Sequence, residues 1–311
     1  METKGTEMAE IVNIPMVEYL ALARDSRSSI CDYNDSPENY HGRHVSGDIP
    51  AKSETSKMEF GSVVDAFITE GVEPSLEIPD DVVVIPTSCL KKNGHRNTAG
   101  DNWKELIAEN HRTPLGNFWT EKECDKYVQE REAIRASCYA IRDQVAAHKG
   151  ARSVLLAEDR ICQPTILFEI NGVKLKARPD VVPQRFRVIG DMKISASIST
   201  KFFTNRVSDF GYDIQGWLSA FGWMLATDES EMRPFVNVVI REKPPYEVRA
   251  FELNQNFMDR GRAYAMEAIE GIKRCQDSGV WRPGNHGEIE KVNPPNYMAV
   301  RRAEESELVA A

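Results

Sequence analysis

The sequence predicts an α/β fold in which a central mixed β-sheet is flanked by helices. Residues 162–182, CQPTILFEINGVKLKARPDVV, alternate by two around Asn171-Gly172, a strong short signal for a hairpin turn. Long helical segments are indicated over residues 120–148 and 256–277, before and after the strand-rich centre. Between them the strand-like segments RFRVIGDMKI, PFVNVVIRE and YEVRAFEL are interleaved with helical ones, which a sheet covered by helices accommodates.

In chain order, residues 1–50 are polar and broken by Pro15, Pro37 and Pro50, with one helix-like piece at 16–24, and read as an arm or cap. A domain over 51–284 follows, and 285–311 reads as a polar tail. Within MEFGSVVDAFI, Phe60, Val63, Val64 and Phe67 fall at helical spacing, giving a buried helix that carries Asp65. Residues 71–86 read as loop and short strand. The stretch 91–112 combines Lys91, Lys92, Arg96, Lys104 and Arg112 with glycines and lacks strong periodicity, so a basic, partly mobile segment is expected. Trp103 and Trp119 flank it and either pack or stack on bases. Thr120 has the chemistry of an N-cap, with Glu121 and Glu123 in the first turn behind it. After the three central strands come helices at 200–205 and 212–226, then two strands separated by Pro244-Pro245. The last helix ends near Gly279.

The chain has 311 residues, 41% hydrophobic and 28% charged, enough to bury a core without staples. No run approaches the roughly 18 apolar residues of a membrane helix, and METKGTEMAE lacks the layout of a secretion signal, so a cytoplasmic protein with no membrane partner is expected. The six cysteines are scattered with no C-x-x-C pair, which predicts free thiols and no iron–sulfur cluster. A net charge of −9 argues against a broadly basic nucleic-acid surface, but leaves room for positive potential confined to a cleft.

Pro179-Asp180 is expected to end the second hairpin strand, and Asp191-Met192-Lys193 lies on the next strand. The period of two puts Asp191 and Lys193 on one face, so a carboxylate and an ammonium enter the same space. An Asp and a Lys so spaced also occur on solvated sheet edges, and Pro-Asp also starts turns. Here Asp191 follows the apolar run Val188-Ile189-Gly190, where a buried charge needs a partner or a metal. Two carboxylates plus a substrate phosphate suit Mg²⁺, with Mn²⁺ as a substitute, and a nearby lysine can stabilise charge developing on the phosphoryl group.

K-A-R-P-D followed by V-I-G-D-M-K resembles the PD-(D/E)XK nuclease superfamily, and within it the RecE-like exodeoxyribonuclease VIII branch of phages and prophages. The likeness extends to Ser36-Pro37-Glu38-Asn39-Tyr40, to the helix opened by Phe60-Gly61-Ser62, and to Tyr212-x-x-Gln215. The resemblance implies Asp65, Asp180 and Asp191 as metal ligands, with Lys193 and Gln215 joining the two strand acids as catalytic residues. It also implies a 5′→3′ exonuclease acting on double-stranded DNA ends, a single-strand annealing protein as partner, and a homo-oligomer. The chain departs from the pattern at Asp65, where the family has histidine, and at Ser219, where it has tyrosine. Gln163 stands where an acid is expected, with Glu158 nearby as a substitute. Asp65 can still ligate Mg²⁺, while Gln163 and Ser219 support a rival reading, a degenerate nuclease fold kept as a DNA- or protein-binding module. An endonuclease or single-strand nuclease would share the same site. The six histidines show no clustered ligand spacing.

Overall fold

The structure, a computed structural model, describes residues 9–50, 53 and 55–282. The segment 285–311, expected as a tail, lies outside the described residues. The amino-terminal part carries β1 (Glu10–Val12), α1 (Met16–Ala21), α2 (Arg27–Asp35), α3 (Pro37–Tyr40) and α4 (Ser56–Asp65). The middle adds β2 (Val83–Val84), α5 (Asp101–Glu109), β3 (Phe118–Trp119), α6 (Glu121–Ala147) and α7 (Lys149–Leu155). Strands β4 (Arg160–Cys162), β5 (Thr165–Ile170), β6 (Val173–Ala177), β7 (Val181–Pro183) and β8 (Ile189–Ser195) then lead to α8 (Thr200–Asp209) and α9 (Tyr212–Thr227). The described chain closes with β9 (Phe235–Arg241), β10 (Val248–Glu252) and α10 (Gln255–Ser278).

The Asn171-Gly172 turn forms as expected, with φ of 52° and 81°, the left-handed pair that a two-residue hairpin needs. The hairpin does not join the central sheet, however. β5 and β6 pair with β1 in a three-stranded antiparallel sheet, while a five-stranded sheet runs in the order β10-β9-β8-β7-β4, parallel only between β8 and β9. β6 ends at Ala177, so Pro179 and Asp180 do not end a hairpin strand; they lie in the crossover to β7. Pro179 has no N–H to continue the ladder, so pairing stops there and the chain changes sheets. The result is an α/β fold with mixed sheets flanked by helices.

Alternation along the five-stranded sheet divides its side chains between two cores. Ile189, Phe235 and Val239 pack with Trp217, Leu218 and Ile269, on the side of α9 and α10. Val181, Met192, Val238 and Ile240 pack with Val64, Ile141 and Val154, on the side of α4, α6 and α7. Asp191 and Lys193 share the parity of Ile189, so they face α9. Close approach of α10 to the first turn of α9 requires Gly261, where a Cβ would overlap the Asp213 carbonyl group. Residues of the amino-terminal arm enter the first core as well, with Ile30 and Tyr40 buried in it.

The stretch 91–112 differs from expectation. It forms α5, and Trp103 is buried against Phe118 with ring centroids 5.8 Å apart, in a small third core. Trp119 packs on Tyr127 at 5.2 Å and donates from Nε1 to the Gly116 carbonyl at 3.0 Å. Both tryptophans are packing residues. Thr120 caps α6 reciprocally: its hydroxyl accepts from Glu123 N at 3.2 Å, and the Glu123 carboxylate accepts from Thr120 N at 2.7 Å. Thr120→Ala is expected to cost about 1 kcal/mol, read as a lower midpoint in urea denaturation.

Candidate active site

Gly190 precedes the first site residue for a steric reason: a Cβ there would overlap the side chains of Val154 and Val181. Strand β8 thereby lies close under α7 and β7, and Asp191 is left 1% exposed. Both its oxygens are engaged. Oδ1 accepts from Gln215 Nε2 at 2.6 Å, and Oδ2 accepts from Asn237 Nδ2 at 3.3 Å and forms an ion pair with Lys193. The Lys193 ammonium also lies 4.9 Å from the centroid of the Tyr212 ring.

Asp180 reaches the same place from the crossover. Its Oδ2 accepts the backbone N–H of Met192 at 2.6 Å, which fixes it beside the residue that follows Asp191. Asp65 comes from the opposite side, at the point where α4 widens into a π-helical turn, Ala66–Glu70. Its Oδ2 accepts from Gln163 Nε2 at 2.7 Å. Gln163 in turn accepts from Arg178 Nε at 3.2 Å, and Arg178 NH1 donates to the Ile14 carbonyl at 2.8 Å. Gln163 thus occupies the place where the resemblance expects an acid. Glu158 is not its substitute, being exposed and part of a separate surface depression with Arg152 and Arg185.

Asp65, Asp180 and Gln215 line one cavity of about 200 Å³, with Gln163, Ser219, Arg27 and Arg178. Asp191 lies behind its wall, joined to it through Gln215. Burial first, then the charges of Asp191 and Asp65, hold Asp180 well above the usual carboxylate range. Burial first, and Asp191 second, push Asp65 up to about 7 against the opposing pull of Lys193. Burial alone would lower Lys193, but the Asp191 and Asp180 carboxylates outweigh it and hold the ammonium above its ordinary value. Lys193 is therefore a fixed positive charge near neutral pH and not a base.

No cluster of three His, Cys, Asp or Glu side chains close enough to share one ion occurs among the described residues. The arrangement nevertheless fits a hard cation. Asp65 Oδ1 and Gln215 Oε1 are buried oxygens with no hydrogen-bond partner, and both residues line the cavity with Asp180. Mg²⁺ prefers oxygen donors and is held by one or two carboxylates plus water, so a full protein cage is not required.

Asp65 carries a pH consequence. Its folded pKa lies above the unfolded one, so between roughly pH 4 and 7 the folded protein holds a proton that the unfolded chain lacks. That stability is full below the unfolded pKa and is lost as pH rises through the folded one. The metal-free protein is expected to melt at a lower temperature near pH 8 than near pH 5, with Mg²⁺ raising the melting temperature more at the higher pH. An Mg²⁺ effect of equal size at both pH values would remove Asp65 from the cation site.

Sequence reasoning missed Asn237, which lies directly opposite Asp191 in the parallel β8–β9 register and is fully buried. Its signal was a lone amide inside the apolar run FVNVVI. It also missed Arg178, which stands in the K-A-R-P-D motif itself.

The sequence profile of the PDDEXK-like domain of unknown function (DUF3799) matches residues 26–294. A crystal structure from Eubacterium rectale, of a protein entitled "Putative exonuclease", superposes with a TM-score of 0.55 at 15% identity, covering 93% of this chain and 98% of that chain. At that identity the likeness speaks for the fold. A comparison with curated proteins finds no match. The matched span contains the crossover and strand that present Asp180 and Asp191 and the helices that present Asp65 and Gln215, and the chain belongs to this PDDEXK-like family.

Proposed function

We propose that this protein is an Mg²⁺-dependent exonuclease that degrades double-stranded DNA from its ends in the 5′→3′ direction, leaving single-stranded tails for an annealing protein in recombination. The observation that carries the reading is the crowding of three acids around Lys193, with oxygens of Asp65 and Gln215 left without partners. Such a group is short of positive charge and of donors, and a divalent cation together with a phosphodiester supplies both. Bound there, the cation would shield phosphoryl charge and lower the pKa of an attacking water. Asp65 and Asp180 would hold it from the cavity wall. Gln215 and Asn237 fix Asp191, and Asp191 fixes Lys193, whose charge offsets the negative charge that develops as water oxygen bonds to phosphorus and the P–O ester bond breaks. Arg27, on the same cavity wall and donating to the Phe210 carbonyl at 2.8 Å, would add positive charge for the phosphate backbone.

The PDDEXK-like family membership and the name of the Eubacterium rectale protein support a nuclease. Polarity, an annealing partner and assembly into a homo-oligomer rest on the resemblance to the RecE-like branch. The degenerate-fold alternative draws on one observation: Gln163, standing where an acid is expected, spends its amide on Asp65. Linear duplexes labelled at either the 5′ or the 3′ end, and a covalently closed circle, test the proposal in Mg²⁺ and in EDTA. Early Mg²⁺-dependent release of the 5′ label with the circle intact is the expected result. Cleavage of the circle would make the protein an endonuclease, and no cleavage of any substrate would favour the binding module.

A further inference from the structure

A second cavity, of about 220 Å³, shares Lys193 with the chemistry above, which leaves the rest of its wall unused. Lys193 and Tyr212 form one side of it, with Phe202, Arg206 and Phe210 from α8 and the turn after it, and Lys57 from α4. Asp191 lines neither cavity but is hydrogen-bonded to a wall residue of each. Its Oδ1 is held by Gln215, which lines the first, and its Oδ2 by Lys193, which lines the second.

The second cavity alternates flat rings with cations. The Arg206 guanidinium lies 4.8 Å from the Phe202 centroid and 5.0 Å from that of Phe210. Phe210 stacks on Tyr212 at 5.7 Å, and Tyr212 lies beneath Lys193. Phe210 is nonetheless 44% exposed, leaving ring surface uncovered beside the reacting lysine. Among the described residues the one carboxylate on the cavity wall, Glu242, is paired with Lys57 at 2.8 Å. Asp209 approaches Arg206 to 3.7 Å but does not line the cavity. One exposed ring and two half-buried ones flanked by cations suit an unpaired nucleotide: every base offers a face for stacking, and its phosphate answers the positive charges.

We infer that this cavity receives one nucleotide of the strand being cut, with its base against Phe210 and Phe202 and its phosphate towards Arg206 and Lys57. The inference rests on the nuclease reading and deepens it. The scissile phosphodiester then lies near Lys193, with this nucleotide on one side of it and its neighbour towards the first cavity. A base held this way has left its pair, so the strand enters the site single.

The test is fluorescence anisotropy of a fluorescein-labelled ten-residue oligothymidylate, titrated in EDTA so that nothing is cut. Phe210→Ala is expected to bind about tenfold more weakly than the parent protein, Arg206→Ala to weaken binding too, and Phe210→Trp to restore it. Phe186→Ala, which removes an exposed ring lining neither cavity, is the control and is expected to bind as the parent does. Melting curves verify that each variant is folded. Equal binding by the parent and Phe210→Ala, or no binding by the parent, overturns the inference. Loss in Phe210→Ala with recovery in Phe210→Trp upholds the nucleotide site. The end-labelled duplex assay is read separately, so a failed nuclease reading is told apart from a failed binding site.

Discussion

Asp191→Asn is expected to lower Mg²⁺-dependent cleavage of linear duplex DNA by roughly 10³-fold, the scale on which charge stabilisation at a reacting centre is lost. The substitution keeps volume and opens no cavity, and the strand around it stays anchored by the backbone register of β8 on β9. What changes is charge. The neutral amide no longer holds Lys193 by an ion pair and no longer adds to the negative field felt by Asp65 and Asp180. The initial rate of acid-soluble nucleotide release, with a melting curve as control for folding, measures the effect. Equal rates in parent and variant would defeat the enzyme reading.

The second large effect is on stability. Lys193→Met leaves the Asp191 carboxylate buried with only two amide donors, and an uncompensated buried charge of this kind costs about 3 kcal/mol. The expected result is a clear fall in the urea midpoint of the metal-free protein. Pairing the two substitutions separates charge from packing. The Asp191→Asn/Lys193→Met protein is expected to be more stable than Lys193→Met alone, because the orphaned charge is gone. A double variant less stable than Lys193→Met would show that Lys193 matters through its packing.

Local chemistry made parts of this molecule readable from its sequence. A turn that needs two left-handed residues announces itself as Asn171-Gly172, a reciprocal cap as Thr120 with Glu123, and a shared strand face as Asp191-x-Lys193. Each lies within a few residues of chain. What was hidden depends on contacts distant in sequence. Asn237 meets Asp191 only because β8 and β9 lie parallel in one register, and Gln163 meets Asp65 across 98 residues of chain. The assignment of the hairpin to its own sheet was illegible for a related reason: pairing with β1 is decided by residues at the far amino-terminal end. Helix α5 escaped notice although Trp103, Leu106 and Ile107 stand at helical spacing on its packed face, because charged and glycine residues dominate the stretch around so short a helix.

The contacts around Gln163 carry one more implication. Arg178 grips the main chain at Ile14 with one end and steadies Gln163 with the other, while Gln163 steadies Asp65. These side chains act as a tether, so the surroundings of the Asp65 carboxylate at the candidate site depend partly on where the amino-terminal strap is fastened. A truncation that removes Ile14 unfastens that tether together with β1, and its expected mark is a displaced pH–activity profile in a variant that melting curves show to be folded.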